Sequence, residues 1–277
     1  MSNILVRALT GFIFILTVAG SAILDFRLFL LFFGAYTFLA LREFYKLISN
    51  TDTKPLIAVG IIIGIGIYLI SALSVLSIIT TRQGGIFYIF TFVISASIFL
   101  IELYRHSKTP YFNIAYTFLG VIYIAIPFSM LISFSEFQKE YSTFSYQILG
   151  YFFILWMYDT FAYLCGMKFG KHRLFERISP KKTWEGVIGG ALFAFITAYI
   201  ISLYFLPNSL LHWSIITVIV VVFGTFGDLV ESMFKRSLDK KDSGTILPGH
   251  GGILDRFDAV FLSAPVVYLY LKILAFI

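Results

Sequence analysis

The stretch that decides the fold is residues 186–227, GVIGGALFAFITAYIISLYFLPNSLLHWSIITVIVVVFGTFG, which contains no Asp, Glu, Lys or Arg. A helix needs about 20 apolar residues to cross the hydrocarbon core of a bilayer. This run is therefore long enough for two membrane helices, joined near Pro207 and Asn208. Transmembrane β-strands would show short alternating segments, which are absent here, so the pattern predicts helices. Four more uncharged runs cover residues 55–81, 83–101, 109–135 and 141–158.

The composition of the whole chain agrees with a membrane protein. Only 13% of the 277 residues are charged and the mean hydropathy is +0.90, whereas soluble domains carry about 25% charged residues. We predict an all-α, polytopic integral membrane protein with about nine transmembrane helices. The expected spans are residues 8–25, 27–43, 56–79, 84–103, 112–135, 146–167, 186–206, 211–234 and 257–276.

The distribution of positive charge predicts the orientation. With nine spans and a cytoplasmic N-terminus, 17 of the 21 Lys and Arg residues lie on the cytoplasmic side, as the positive-inside rule requires. The two most basic loops, 168–185 and 235–256, then share that face. The small residues 19–22 also fit a signal-peptide cleavage site, but we expect a retained helix. We divide the chain into N-terminal spans (1–140) and a catalytic membrane region (141–277).

The remaining composition restricts the partners and the redox chemistry. The net charge of +6 could reflect binding to nucleic acid, but no soluble basic domain or RNA-binding signature accompanies it. Membrane topology and phosphate-bearing ligands explain the charge better, so we expect no nucleic-acid partner. Cys165 is the single cysteine, which excludes an intramolecular disulfide.

The end of the eighth span carries polar residues at helical spacing. Asp228, Glu231, Ser232 and Lys235 stand at positions i, i+3, i+4 and i+7, so they share one helical face. Such a face predicts the wall of a hydrated cavity, although a hydrogen-bond network between helices or a snorkelling helix end is the simpler alternative. That alternative is favoured for Lys235 alone. It is not favoured for Asp228, because a carboxylate within a span normally needs a cation or a metal.

A glycine-rich loop and two further carboxylates follow. Residues 248–252, PGHGG, allow unusual backbone conformations and a close approach of main-chain N–H groups to an anion, although a tight turn explains them equally well. Asp255 and Asp258 open the last span three residues apart, where they could also act simply as helix caps. Carboxylate ligands together with substrate phosphates suit Mg²⁺, so we expect Asp228 and Asp255 to share a magnesium site.

A third set of polar residues belongs to the sixth span and the loop after it. Asp159, Tyr163 and Gly166 share one helical face. The later segment 178–186, ISPKKTWEG, suggests an anion site, whereas loop residues such as Lys168 are explained by topology alone. The glycines at 186, 189 and 190 are expected to permit close packing of helices.

These residues together carry a family resemblance. The run Ser232-x2-Lys235-Arg236-x4-Lys241-Asp242-x-Gly244-x2-Leu247-Pro248-x-His250-Gly251-Gly252-x2-Asp255-Arg256-x-Asp258 resembles the signature of phosphatidate cytidylyltransferases, also called CDP-diacylglycerol synthases. The Asp159…Gly170-Lys171 and Ile178…Gly186 blocks are also similar to that family. The resemblance covers about residues 156–260, and the first 140 residues share only hydropathy and span number with it.

The resemblance implies that CTP and phosphatidate give CDP-diacylglycerol and pyrophosphate at a site with Mg²⁺, in two metal positions. We expect the protein in the inner cell membrane, with the active site facing the cytoplasm as the charge distribution requires, and a homodimer is typical of the family that it resembles. We assign metal binding to Asp228, Asp255, Asp258 and Ser232. The other expected catalytic groups are Lys235, Arg236, Lys241 and His250. The expected substrate-binding residues are Asp159, Ser179, Lys181, Lys182, Thr183, Glu185, Ser232, Gly251, Gly252 and Arg256.

Two other functions fit parts of the pattern. An ion-coupled transporter could use Asp159 and Asp228 within the membrane, but the polar residues gather at one face, whereas transport requires access from both. A CTP-dependent lipid-alcohol kinase would also use basic loops and a metal. The product separates it from a cytidylyltransferase, since a kinase adds only one phosphate to the lipid.

Overall fold

The computed structural model describes residues 10–50, 52–137, 145–204, 210–244, 246 and 251–276. Nine helical stretches and a short hairpin make up this part of the chain. The helices are α1 (Thr10–Leu24), α2 (Phe26–Ile48), α3 (Ile57–Val75), α4 (Thr81–Tyr104), α5 (Pro110–Phe137), α6 (Tyr146–Phe169), α7 (Trp184–Tyr204), α8 (Leu210–Ser237) and α9 (Leu254–Phe276). The hairpin strands are β1 (Arg173–Phe175) and β2 (Ser179–Thr183).

Eight of these helices, α2 to α9, are long and apolar enough to cross a membrane within the described residues. The shorter apolar helix α1 coincides with the predicted first span. The prediction of an all-α, polytopic membrane protein is thereby confirmed. The sequence did not predict the antiparallel hairpin in the polar loop after α6, in which Arg173 pairs with Thr183 and Phe175 with Ser179.

Contacts divide the chain into two compact units. The first comprises Met1–Glu136 and Asp242–Arg256, and the second comprises Phe137–Lys241 and Phe257–Ile277. The glycine-rich segment after α8 therefore groups with the N-terminal helices, although it lies far from them in sequence.

In the first unit, Tyr45 is the central packing residue between helices. Its ring is fully buried and its hydroxyl donates to the Thr117 carbonyl oxygen at 2.7 Å. Gly60 and Gly120 face this ring so closely that a Cβ at either position would overlap it. Burial of a large aromatic side chain stabilises the packing, and its polar end finds a partner. The helices α2, α3 and α5 are thus held together around one side chain.

A buried polar network links the connections of the same unit. The side-chain NH₂ group of Asn113 donates to Glu102 Oε1 at 2.6 Å and to Ser107 Oγ at 2.7 Å. The side-chain oxygen Oδ1 of Asn113 accepts from the Lys54 backbone N–H at 2.7 Å. Arg105 Nη1 lies 3.4 Å from Glu102 Oε2, and Glu102 is only 3% exposed. Because these buried groups are mutually satisfied, the network fixes the loop ends instead of offering a binding site.

In the second unit, small residues bring α6 and α7 into backbone contact. A Cβ at Gly186 would lie 2.6 Å from the Ala162 carbonyl oxygen, and one at Gly190 would lie 2.7 Å from the Tyr158 carbonyl oxygen. A Cβ at Gly189 would lie 2.5 Å from Cys165. The prediction that these glycines permit close helix packing is confirmed.

Candidate active site

The polar face predicted on α8 forms as expected in the second unit. Ser232 Oγ donates to Asp228 Oδ1 at 3.2 Å, and Lys235 Nζ lies 2.7 Å from Glu231 Oε2. The Glu231 side chain is 4% exposed and that of Lys235 is 13% exposed. Since a buried charge is costly without a partner, Lys235 serves first as the counter-ion of Glu231.

The length of α8 predicts that Asp228 lies near one surface of the membrane. From Leu210 to Gly227 the helix rises roughly 27 Å at 1.5 Å per residue, which is close to the thickness of about 30 Å of the hydrocarbon core. We therefore expect residues from Asp228 to Ser237 to extend into the headgroup region. Charged groups are far less costly there than at the bilayer centre, and a lipid headgroup lies at the same depth.

The hairpin delivers a cation to Asp228. Lys182 Nζ lies 2.5 Å from Asp228 Oδ2 and 3.5 Å from the Thr225 carbonyl oxygen. Successive side chains of a strand point in opposite directions, so Lys181, its neighbour in β2, is exposed while Lys182 is half-buried. Lys181 and Lys182 were predicted to have the same role, but in the structure only Lys182 contacts Asp228.

Local hydrogen bonds hold this hairpin against the start of α7. Thr183 is buried, and its hydroxyl accepts from the Gly186 N–H at 3.2 Å, in the manner of a helix cap. Glu185 accepts from the backbone N–H of Lys171 at 3.1 Å and of His172 at 3.2 Å, and from His172 Nδ1 at 2.6 Å. These contacts give Thr183 and Glu185 a positioning role, and the expected binding of substrate by them stays a prediction. Ser179, at the start of β2, is half-buried.

A second carboxylate of this unit approaches Asp228 because of a glycine. A Cβ at Gly227 would lie 2.5 Å from the Asp258 carbonyl oxygen and 3.1 Å from Ala259 Cα, so α8 and α9 meet backbone to backbone. The half-buried Asp258 carboxyl is consequently within electrostatic range of Asp228 and Glu231, and also of Asp159 on α6. Like charges so placed favour a bound cation.

The donor set of the second unit fits a hard divalent cation. Among the described residues, no three His, Cys, Asp or Glu side chains converge tightly enough to hold a metal by themselves. Mg²⁺ does not require such a cage, because it typically binds through one or two carboxylates together with waters and substrate phosphates. Asp228 and Asp258 offer two such carboxylates. Whether a metal is shared by Asp228 and Asp255 stays a prediction, since these residues belong to different units.

In the first unit, Asp255 accepts hydrogen bonds from the signature loop, by which we mean residues 242–256, including the first turn of α9. Residues 245 and 247–250 of this loop lie outside the described part of the chain. Asp255 Oδ2 accepts from the Gly252 N–H at 2.8 Å, from the Ser243 N–H at 3.0 Å and from Ser243 Oγ at 2.9 Å. Gly251 has a φ of +83°, a left-handed conformation that favours glycine. The two glycines therefore shape the loop around the carboxylate of Asp255, while their expected contact with substrate stays a prediction.

Sequence reasoning missed Glu43, a residue of α2 that contacts the same loop. It is 4% exposed, and its carboxylate accepts from the N–H groups of Ile253 at 2.9 Å and Leu254 at 3.2 Å. The Ser243 hydroxyl also contacts it in a short hydrogen bond, so the single hydroxyl proton is shared between Glu43 and Asp255. Glu43 lies about 200 residues from these partners in sequence and belongs to no motif that would have identified it.

The other predicted cations lie on the surface. Exposed side chains belong to Lys181, Arg236, Lys241 and Arg256. Arg236 Nη1 donates to the Lys240 carbonyl oxygen at 3.4 Å. Exposed cations on flexible side chains are suited to bind phosphates, and their assignment to substrate stays a prediction. His250 lies outside the described residues.

The fold and these polar residues define a polytopic helical membrane protein, and the chain belongs to the cytidylyltransferase family. The model of that family matches residues 5–274. The family prediction made from the signature is therefore confirmed.

Individual relatives carry a more specific name. The chain is 34% identical over 273 residues to the phosphatidate cytidylyltransferase of Staphylococcus saprophyticus, covering 96% of this chain and 98% of the relative. It is 38% identical over 211 residues to that of Rickettsia prowazekii, covering 73% and 87%. The match to that of Staphylococcus aureus strain COL is 42% identical over 167 residues, or 60% of this chain and 62% of the relative.

Proposed function

We propose that this protein transfers the cytidylyl group of CTP to phosphatidate, which gives CDP-diacylglycerol and pyrophosphate. The observation that carries the proposal is the pairing of Asp228 with Lys182 at the end of a membrane-spanning helix, in a chain of the cytidylyltransferase family. The relatives named above support phosphatidate as the lipid substrate. We place the reaction on the cytoplasmic face of the inner membrane, where CTP is available and the basic loops are expected.

The chemistry requires neutralisation of charge more than it requires acid–base catalysis. A phosphate oxygen of phosphatidate attacks the α-phosphorus of CTP, the bond from that phosphorus to the bridging oxygen of the β-phosphate breaks, and pyrophosphate leaves. The attacking phosphate monoester is largely ionised near neutral pH, so no general base is needed. The main obstacle is repulsion between two anionic reactants, which positioned cations overcome.

Lys182 and the carboxylates of the second unit would act together on this charge. Lys182 is held by Asp228 at a defined position, so an anion that contacts its ammonium group is also positioned beside Asp228. Asp228 and Asp258 would hold Mg²⁺ jointly with substrate phosphates, with Ser232 orienting Asp228. When bound, the metal would neutralise phosphate charge and align the attacking and leaving oxygens.

The decisive experiment follows the two ends of the nucleotide. Purified protein in mixed micelles with phosphatidate is given CTP labelled with ³²P at either the α- or the γ-phosphate. Label from the α-position should enter the lipid fraction, whereas label from the γ-position should appear only in pyrophosphate. A boiled sample and a sample without phosphatidate serve as controls.

The alternatives predict different outcomes in the same experiment. Lipid labelled from the γ-position with a lipid alcohol as acceptor would indicate a CTP-dependent kinase and contradict the proposal. Absence of lipid labelling, together with ion flux in liposomes, would indicate a transporter. The family match favours the transferase over both.

A further inference from the structure

The packing of helices does not explain why the carboxylate of Glu43 is buried. A carboxylate that is 4% exposed inside a helical unit is costly unless its oxygens are fully engaged. Many apolar side chains could fill the same space. Among the described residues, this carboxylate accepts hydrogen bonds from Ser243, Ile253 and Leu254, which belong to the signature loop.

Two of these partners are backbone N–H groups at the start of α9, those of Leu254, its first residue, and of Ile253, the residue before it. The N–H groups at the start of a helix have no partner within that helix, so the N–H of Leu254 needs an acceptor from another segment. Glu43 accepts from both N–H groups, at 2.9 and 3.2 Å, from a different helix. A negative charge is also favoured at this end of the helix dipole. The position of Leu254, and with it the start of α9, is thereby tied to α2.

The third partner connects Glu43 to Asp255. The Ser243 hydroxyl contacts both carboxylates, in a short hydrogen bond to Glu43 and at 2.9 Å from Asp255 Oδ2. The Ser243 N–H also donates to Asp255 at 3.0 Å. Ser243 cannot move away from Glu43 without weakening the hydrogen bonds that orient Asp255.

Two glycines show how closely the loop fits around Glu43. A Cβ at Gly244 would lie 2.8 Å from Glu43 Cδ, and one at Gly252 would overlap Glu43 Oε1 and Ser243 Oγ. At these two glycines the loop backbone therefore contacts the carboxylate directly. Such contact is expected of a group that fixes loop geometry, because a looser fit would leave the loop several conformations.

We propose that Glu43 is a positioning residue that holds the signature loop and orients Asp255 for the transfer reaction. The role in the reaction rests on the function proposed above, whereas the hold on the loop does not. Glu43 itself is not expected to touch substrate. Residues that orient a ligating or catalytic side chain typically contribute about 10- to 100-fold to activity.

The test combines hydrogen exchange with steady-state kinetics on the full-length protein in detergent. In Glu43→Gln, one oxygen becomes an NH₂ group that cannot accept from a backbone N–H. Peptides covering 242–256 should exchange faster than in the wild type, including the amides of Ser243 and Gly252 that bond to Asp255. The kcat for cytidylyl transfer should fall about 10- to 100-fold, while the KM for CTP stays within about threefold. Glu43→Asp, which keeps the charge, should recover part of the kcat.

Glu102→Gln is the matched control. Glu102 is a carboxylate of the same unit with nearly the same burial, and its contacts are with Asn113 and Arg105. Its substitution should leave exchange in the signature loop unchanged. Loop exchange in Glu43→Gln equal to that of the wild type, or a kcat equal to that of Glu102→Gln, would overturn the proposal.

A second variant covers the case in which Glu43→Gln cannot be purified. Ser243→Ala removes the hydroxyl shared by the two carboxylates and should produce the same pattern with a smaller loss of kcat. Normal exchange at Gly252 together with a normal kcat in this variant would overturn the proposal. If the wild type transfers no cytidylyl group, the proposed function fails, and loop exchange alone then decides whether Glu43 holds the loop.

Discussion

Asp228 has a different partner for each of its carboxylate oxygens. Oδ2 lies 2.5 Å from Lys182, and Oδ1 accepts from Ser232 at 3.2 Å. This arrangement fixes the direction of both oxygens while the side chain remains 35% exposed. A carboxylate that is oriented yet accessible is suited to bind a metal that also contacts a soluble nucleotide.

We expect Asp228→Asn to reduce cytidylyl transfer by about 100-fold or more, since charge stabilisation of the transition state is usually the largest single contribution. The substitution keeps the size of the side chain, so the protein should elute from gel filtration as the wild type does. The initial rate of lipid labelling from [α-³²P]CTP measures the effect.

Lys168→Glu is the control for Asp228→Asn, because Lys168 is an exposed residue at the end of α6. Reversal of its charge should cost far less activity. A near-normal rate in Asp228→Asn would contradict the role of Asp228, and a comparable loss in Lys168→Glu would show that the basic surface acts as a whole.

For single residues, the sequence predicts which side chains share a helical face, but it does not predict which side chains are brought together from distant segments. The spacing of Asp228, Ser232 and Lys235 was sufficient to place them on one side of α8. Nothing near Glu43 indicated a partner about 200 residues away. The same spacing also put Glu231 and Lys235 on one face, but the expected catalytic role of Lys235 did not take account of its burial beside Glu231.

The strand conformation of the hairpin determines which of two adjacent lysines reaches Asp228. The alternation of side chains in β2 directs Lys182 to Asp228 and leaves Lys181 exposed. The hairpin was not predicted because it lies in a polar loop, and Pro180 and the two lysines are poor indicators of a strand. Long helices, in contrast, were predicted from the uncharged runs, since hydrocarbon thickness sets their minimum length.

Lys182→Met should therefore reduce cytidylyl transfer at least about tenfold more than Lys181→Met, which corresponds to the loss of one charge-assisted hydrogen bond. Both substitutions remove the same charge from the same strand, so a difference in activity reflects the direction in which the two side chains point. The measurement is kcat/KM for CTP. Equal losses in the two variants, or a larger loss in Lys181→Met, would contradict the assignment.

The contact between α6 and α7 gives a prediction on stability. In Gly190→Ala the new methyl group would lie 2.7 Å from the Tyr158 carbonyl oxygen, and overpacking of this kind costs about 1–3 kcal/mol. The midpoint of thermal unfolding in detergent should fall. Gly66→Ala, at a helical glycine with nothing within 4 Å of the added Cβ, should leave the midpoint unchanged or raise it. A midpoint that falls only in Gly66→Ala would contradict the packing described here.

For the whole molecule, the distribution of charge predicts which ends of the helices face the cytoplasm. The connection before α3 should be cytoplasmic and the turn after it external, if the N-terminus is cytoplasmic. Asp52 and Ser77 are exposed residues at these two positions. The orientation stays a prediction, because helix length and composition do not distinguish the two sides of a membrane.

Cysteine labelling tests this orientation. In a Cys165→Ser background, Ser77→Cys should react with a membrane-impermeant maleimide added to intact cells. Asp52→Cys should react only after the cells are permeabilised. The reverse pattern would invert the topology and place the basic loops away from CTP.

The most direct test of the central claim is the dependence of transfer on a divalent metal at Asp228. Wild-type protein freed of metal with a chelator should transfer no cytidylyl group to phosphatidate, and measured additions of Mg²⁺ should restore the rate along a saturable curve. Asp228→Asn should require a higher Mg²⁺ concentration for half-maximal rate and reach a far lower maximum. Full activity of the wild type in excess chelator, or an unchanged magnesium curve in Asp228→Asn, would contradict the claim.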